Sequence, residues 1–222
     1  MEKEVKIAIY GARETGGLAS VLDIMQRINQ KKKKYKIIGL IDDKIESGRK
    51  CLGYKVIASK QSLSKLKDKG VFGVVCAIGD NKARERIASD LEKTGLKYIT
   101  LVDPTAILGF NVKIGEGSVI YPNVVINSGT TIGRGVLVNT SCSIDHDNKI
   151  HDFVNLSPGV HTAGRVVIEK GVFIGSGASI IPDMTIGRNS TIGAGAVVIE
   201  DIPPEVTAVG VPAVIVKKSK GV

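Results

Sequence analysis

His146 stands between two carboxylic acids in the run Ser143-Ile144-Asp145-His146-Asp147, and this triplet is the strongest chemical signal in the chain. An imidazole can take and return a proton near neutral pH, and an adjoining carboxylate orients its ring and favours its charged form. Such a pair suits general-base activation of an amine or a hydroxyl. Cys142 lies four residues earlier and raises a second possibility, a nucleophilic thiol that forms a covalent intermediate. His146, His151 and His161 raise a third possibility, a zinc site.

A second group of polar residues gathers where apolar runs end near the N-terminus. Val5 to Tyr10 meets Gly11 at once, and Gly-Ala-Arg-Glu-Thr-Gly-Gly then brings Gly11, Arg13, Glu14, Thr15, Gly16 and Gly17 ahead of a helical spacing through Leu18, Val21, Leu22, Met25 and Ile28. Glycines in such a turn let phosphate oxygens approach backbone N–H groups, and a helix start adds a favourable field. The turn differs from the G-x-G-x-x-G fingerprint, so alone it is weak evidence. Asp42, Asp43 and Lys44 follow a second run, Tyr35 to Ile41, and Gly79, Asp80 and Asn81 follow a third, Val71 to Ile78. Carboxylates there can accept hydrogen bonds from the N–H groups of a base or from ribose hydroxyls. A solvated turn after a strand is the plainer alternative.

These groups must be positioned by two kinds of framework. Strands alternating with helices, among them Ala83 to Thr94, predict a small parallel sheet with helices on its faces over residues 1–101. From Val102 to Val198 an apolar residue recurs at every sixth position, seventeen in all, and only Thr162 departs. Four residues after each comes a second series, mostly small or β-branched, that includes Cys142, Asn148 and Val166. A period of six matches neither a helix nor an amphipathic strand and predicts a parallel coil of short strands over 102–222, its aliphatic residues stacked inward. Glycine follows the ladder residue at 115, 133, 175, 187 and 193, as a tight corner would favour. The prolines after Val198 cannot continue the ladder, so the tail is expected to cap the coil. In this period His146, His151 and His161 fall second, first and fifth after their ladder residues and should point in different directions, so no metal is expected. Cys142, in the packing series, is expected to be buried.

The 222 residues are 43% apolar, enough to bury a core. No stretch of eighteen apolar residues occurs, and the first residues lack the long apolar segment of a secretory signal, so a cytoplasmic protein is expected. Cys51, Cys76 and Cys142 show no C-x-x-C spacing and are read as reduced thiols. Residues 1–100 carry 22 Lys and Arg against 12 Asp and Glu, whereas residues 101–222 carry 9 against 10. The asymmetry suits an anionic partner for the first part, although a solvated lysine-rich surface explains it equally. Nucleic acid is disfavoured, because aromatic residues make up only 4% and no nucleic-acid motif is present.

The [LIV]-G-x-x-[STAV]-x repeats resemble those of the hexapeptide acyltransferases, whose fold is a left-handed parallel β-helix. With YGA, LIDDK and AIGDN in the first part, and NTSCSIDHD, SPGVHTAG and VGVPA in the second, nearly the whole chain resembles the bacterial sugar acetyltransferases of the PglD and sialic-acid O-acetyltransferase type. The resemblance implies a Rossmann-like N-terminal domain, an acetyl-CoA co-substrate, and a homotrimer with its active sites between neighbouring subunits.

Carried over residue by residue, the resemblance makes His146 the general base and Asp147 its supporting acid. Gly164 falls near the acetyl carbonyl, and Asn139, Ser176 and Ala194 fall at positions lining the acyl-donor site. Asn155 stands where the family's amino-sugar enzymes carry a second histidine. Gly11, Arg13, Glu14, Thr15, Asp42, Asp43, Lys44 and Gly79, with Asn81 and Arg84, fall in the nucleotide-sugar pocket. The implied reaction is acetyl transfer from acetyl-CoA to the amino group of a nucleotide-linked 4-amino-deoxysugar used in surface glycans, by direct attack on the thioester. O-acetylation of a sialic acid-type sugar is the nearest alternative. A non-catalytic trimeric binding module would be expected to lack the corner histidine, which is present.

Overall fold

The computed structural model describes residues 4–14, 16–32 and 34–218 and divides into two compact units, Met1–Pro104 and Thr105–Val222. The division falls three residues beyond the expected 101/102 boundary. Asp103 is buried in an ion pair with Arg27 at 2.6 Å, and the Pro104 carbonyl accepts from Lys31 Nζ at 3.2 Å, so this segment stays with the first unit.

In the first unit the strands are β1 (Val5–Tyr10), β2 (Tyr35–Ile41), β3 (Lys50–Cys51), β4 (Tyr54–Ala58), β5 (Gly73–Cys76) and β6 (Lys97–Tyr98), and the helices are α1 (Gly17–Lys31), α2 (Lys65–Asp68) and α3 (Asn81–Thr94). The sheet order is β3-β4-β2-β1-β5-β6, parallel except for the β3/β4 pair. That hairpin lies in the Lys-rich stretch 44–70, where the sequence shows no clear period. Ile7, Ile9, Leu40, Val74 and Val75 are wholly buried between sheet and helices, each worth about 1.5–3 kcal/mol against exposure. Strand β5 is shorter than the apolar run 71–78 predicts. After Cys76 the chain leaves the sheet, and residues 77–80 wall a cleft at the C-terminal ends of β1, β2 and β5.

The second unit is the parallel coil that the period predicts, wound as the left-handed β-helix that the resemblance implies. Its two-residue strands stack eighteen residues apart, as in the register Val119 to Leu137. The first face runs from Val119–Ile120 through Leu137–Val138, Asn155–Leu156 and Phe173–Ile174 to Thr191–Ile192. The second runs from Ile107–Leu108 to Val197–Val198, and the third from Lys113–Ile114 to Thr185–Ile186. Each strand's second residue is the ladder residue, and Ile126, Leu156, Ile168, Ile174 and Ile192 are completely buried. Thr162 keeps the inward position, 4% exposed, so the one lapse turns its hydroxyl into the coil and not toward a ligand. The glycines after the ladder residues serve close approach: a Cβ on Gly115 would lie 2.5 Å from the Gly133 carbonyl carbon one level on, while Gly115 keeps an ordinary φ. The left-handed conformations fall two positions later, at residues such as Asp147, Arg165 and Asp183. Val206–Val209 ends the first face and pairs antiparallel with Val214–Lys218, closing the coil.

Candidate active site

The corner joining the second face to the third carries Asp145, His146 and Asp147 between Ser143–Ile144 and Lys149–Ile150. His146 Nδ1 lies 2.9 Å from Asp147 Oδ2, and the ring remains about half exposed. Asp145 turns back on the chain: its Oδ1 accepts from the His146 N–H at 2.8 Å and from Asn127 Nδ2 at 2.9 Å. The Asn127 bond, then the His146 N–H, holds the Asp145 carboxyl below the usual carboxylate range. The two aspartates thus differ in task, Asp147 engaging the ring and Asp145 shaping the backbone.

Two glycines make room for the pair. Asp147 Oδ1 lies where a Cβ on Gly129, one level before, would fall, and a Cβ on Gly164, one level after, would lie 2.6 Å from His146 Nε2 and 2.7 Å from Cε1. The Nε2 edge of the imidazole therefore rests against bare backbone. The Gly164 N–H has no acceptor among the described residues, whereas the Gly164 carbonyl is taken by Asp183 N–H at 3.1 Å. On the same corner Arg165 makes a two-point ion pair with Asp183, at 2.6 and 2.7 Å, which holds the Asp183 carboxyl low.

The residues expected around the acyl donor lie at another corner, between the first and second faces. Asn139 Nδ2 donates to Asn155 Oδ1 at 3.2 Å and to the Leu156 carbonyl at 2.8 Å, with Asn155 buried on the first face. Ser176 and Ala194 stack one level apart, both exposed, with the Gly195 N–H bonded to the Ser176 carbonyl at 2.8 Å. Within one chain the structure brings His146, Asp147 and Gly164 together, and separately groups Asn139 with Asn155 and Ser176 with Ala194. Cys142 is buried, its thiol pushed up to about 11 by desolvation, which removes the thiolate that a covalent route needs. His161 stands on the flat second face, its Nδ1 2.7 Å from Ser143 Oγ.

The first unit holds a cleft of about 700 Å³ at the strand ends. Gly11, with φ 106°, turns the chain out of β1, and Gly17 lets α1 start against the Ala77 carbonyl, where a Cβ would overlap that oxygen. Among the described residues no side chain caps α1, which leaves its first N–H groups open to a ligand or solvent. Asp42 is spent on the fold: Oδ2 accepts from the Ala12 N–H at 2.9 Å, and Oδ1 from the N–H groups of Lys44 and Ile45. Asp43 accepts from Tyr10 Oη at 2.9 Å and from the Lys60 N–H at 2.7 Å. Burial, then the bond to Asp43, pushes the Tyr10 phenol well up, so it stays a neutral donor. Arg84 is fully buried behind the cleft, its guanidinium on the carbonyls of Ile78 and Gly79 and on Asn81.

What faces the cleft unspent is cationic. The side chains of Arg13, Lys44 and Arg86 line it without a hydrogen-bond or ion-pair partner among the described residues, while Lys60 pairs with Asp90 at 2.8 Å. Gly79 lines the cleft, Glu14 is exposed and does not line it, and Thr15 lies outside the described residues. Sequence reasoning missed Arg86, whose only signal is its place two residues past Arg84 on the first turns of α3. It also missed Asn127, a polar residue directly after a ladder position.

A cleft with spare cations beside an uncapped helix start suits an anionic ligand, and an Asp-oriented imidazole beside a bare glycine suits acyl transfer. Comparison with known proteins agrees. Residues 6–91 match the PglD N-terminal domain, and residues 105–140 and 165–200 match the bacterial transferase hexapeptide (six repeats). The chain is 33% identical over 219 residues to GDP-perosamine N-acetyltransferase of Escherichia coli O157:H7, covering 95% of this chain and 97% of that protein. PerB from Caulobacter crescentus, solved in complex with CoA and GDP-perosamine, superposes with a TM-score of 0.87 at 30% identity, over 95% of this chain and 96% of that one. The acetyltransferase domain of PglB from Neisseria gonorrhoeae, solved with acetyl coenzyme A, gives 0.86 at 31%, over 96% and 100%. A Rossmann-like unit, a hexapeptide coil and a corner histidine in one chain therefore have one common source: the chain belongs to the PglD-type family of hexapeptide-repeat sugar acetyltransferases.

Proposed function

We propose that the chain is an acetyl-CoA-dependent N-acetyltransferase acting on the amino group of a nucleotide-linked 4-amino-deoxysugar in glycan biosynthesis. The observation that carries this is the His146–Asp147 pair at 2.9 Å with its Nε2 edge on Gly164. The amine nitrogen attacks the thioester carbonyl carbon as His146 Nε2 takes an N–H proton, and Asp147 holds the ring by its Nδ1–H. The oxyanion that forms accepts from the Gly164 N–H. Collapse breaks the C–S bond, the thiolate leaves with the proton from the imidazolium, and amide and CoA result. In the cleft of the first unit, Arg13, Lys44 and Arg86 meet the phosphates, near Gly11 and Gly79.

His146 and the group Asn139, Ser176 and Ala194 stand at different corners, with the second face, Ser143–Ile144 on this level, between them. We therefore place each active site between two copies of a cytoplasmic homotrimer, His146 from one and the acyl-donor corner from its neighbour. GDP-perosamine is the first substrate to try, because two relatives carry it in their names or complexes. The test is CoA release from acetyl-CoA with GDP-, UDP-, dTDP- and CMP-linked amino and neutral sugars, beside His146→Ala. Release with an amino sugar and none from the variant is expected. Release only with neutral sugars would move the reaction to a hydroxyl, and silence with every sugar would leave a binding module. A monomer at micromolar concentration in sedimentation would remove the shared site.

A further inference from the structure

The second packing series contains one residue that the coil itself does not require. Asn148 is completely buried, and its Nδ2 donates to three carbonyls, those of Asp145 at 2.8 Å, His146 at 3.2 Å and Ala163 at 2.9 Å. Its Oδ1 is buried without a hydrogen-bond partner among the described residues. A buried unsatisfied amide oxygen is costly, and at the same position of the coil two levels before and one level after stand Val112 and Val166. Aliphatic residues therefore fit this position, and Asn148 gives up one satisfied oxygen to hold three carbonyls.

The choice of carbonyls is specific. Ser118 and Thr130, in the same series, send their hydroxyls to the carbonyl fifteen residues on, those of Gly133 and Asp145, and Asn148 makes the equivalent bond to Ala163. Its other two bonds have no counterpart there. They reach back to Asp145 and His146, so one side chain joins the level that carries the imidazole to the level that carries Gly164. The Thr130 hydroxyl bonds the same Asp145 carbonyl at 2.7 Å and accepts the Asn148 N–H at 3.0 Å, while the Arg165 N–H bonds the His146 carbonyl at 3.0 Å. The backbone on both sides of the ring is thereby tied from inside the coil.

We propose that Asn148 is a positioning residue for acetyl transfer: its carboxamide sets the spacing between His146 and Gly164. It rests on the assignment of His146 as base. It touches neither substrate, so its loss should lower kcat and leave KM nearly unchanged; displacements near 1 Å at a reacting centre cost up to about a hundredfold. Asn148→Val supplies the coil's own alternative, and Asn148→Thr can keep the bond to Ala163 while losing those to Asp145 and His146. Both are assayed for CoA release with acetyl-CoA and GDP-perosamine at saturation, or the amino sugar found active above, together with His146→Ala and thermal melts. A roughly 10- to 100-fold fall in kcat for both variants, with KM within about threefold and an unchanged or higher melting temperature, is expected. A purely structural asparagine predicts the opposite split, a lower melting temperature with normal kcat. The proposal is overturned if a folded Val or Thr variant turns over within twofold of wild type while His146→Ala is inactive. Should Asn148→Val not fold, the Thr variant decides alone. Should His146→Ala turn over normally, it is the base assignment that fails.

Discussion

Replacing Gly164 by alanine adds one carbon at the point where the imidazole meets the neighbouring level. An unadjusted Cβ would sit 2.6 Å from Nε2, against an ordinary contact of 3.4 Å or more, so the ring must retreat by about 0.8 Å. The backbone does not resist, because Gly164 is not in the left-handed region and alanine can adopt its conformation. The ring is the end of a side chain turning about χ1 and χ2, so it will move before the coil does. Any such turn shifts Nδ1 from Asp147 Oδ2, now at 2.9 Å, and the new methyl group covers Nε2. A displacement of this size at a reacting centre costs up to about a hundredfold in rate. We expect Gly164→Ala to keep its circular-dichroism melt within a few degrees of wild type and to lose roughly 30- to 100-fold in kcat for CoA release at saturating acetyl-CoA. Wild-type kcat in this variant would refute both the packing argument and the placement of the reacting amine at Nε2. A collapse of the melt instead would show that the glycine serves the coil.

Four further outcomes can be checked with the same assay. Asp147→Asn leaves a hydrogen-bonding group beside Nδ1 but removes the charge that supports the imidazolium, so kcat should fall roughly tenfold or more with no loss of melting temperature. Arg13→Ala and Arg86→Ala should each raise KM for the nucleotide sugar roughly tenfold at low salt, leave KM for acetyl-CoA unchanged, and differ less from wild type as salt is added. Cys142→Val should keep turnover within about twofold, because the buried thiol is packing and not a nucleophile, and a thiol reagent should label Cys142 only after unfolding. Burial pushes Cys76 and Cys142 up to about 11 from an ordinary value of 9.0. A raised acid pKa contributes stability that is complete below pH 9 and lost as pH rises from 9 to 11, so denaturant midpoints should fall across that window.

The coil was legible because its geometry repeats. Eighteen residues per level force the same three positions inward each time, and an aliphatic residue (Ile, Val or Leu) at those positions is a physical requirement met sixteen times in seventeen. The corner histidine was legible for the converse reason, since it breaks no packing rule and yet carries two acids beside it. Short strands such as Lys50–Cys51 leave no period to read, and the early end of β5 reflects a chain leaving its sheet to wall a cleft, which apolar composition cannot reveal. The hardest property to read was what a polar side chain is already doing. Asp42 and Asp43 have the residue types expected of ligand contacts, yet all their observed bonds run to backbone N–H groups and one phenol. The groups left over for a ligand are Arg13, Lys44 and Arg86, of which only the last had no motif to mark it.

The same distinction separates Thr162 from Asn148. Both are polar residues inside an apolar coil, and both leave a buried oxygen without a partner among the described residues. Thr162 carries a hydroxyl where its ladder neighbours Ile144 and Ile180 carry an ethyl group, and among the described residues no hydrogen bond links that hydroxyl to the corner. Asn148 replaces a valine-sized residue with a donor that reaches three carbonyls on two levels. Ranked by conspicuousness in the sequence, Thr162 comes first because it interrupts a strict ladder, whereas Asn148 hides in a series that already tolerates Ser, Thr and Cys. Ranked by what its atoms hold, the order reverses. Thr162→Ile should therefore leave kcat within about twofold wherever the larger side chain is accommodated, while Asn148→Val should not. A loss of kcat in a stably folded Thr162→Ile variant would mean that the ladder's one lapse serves the chemistry after all.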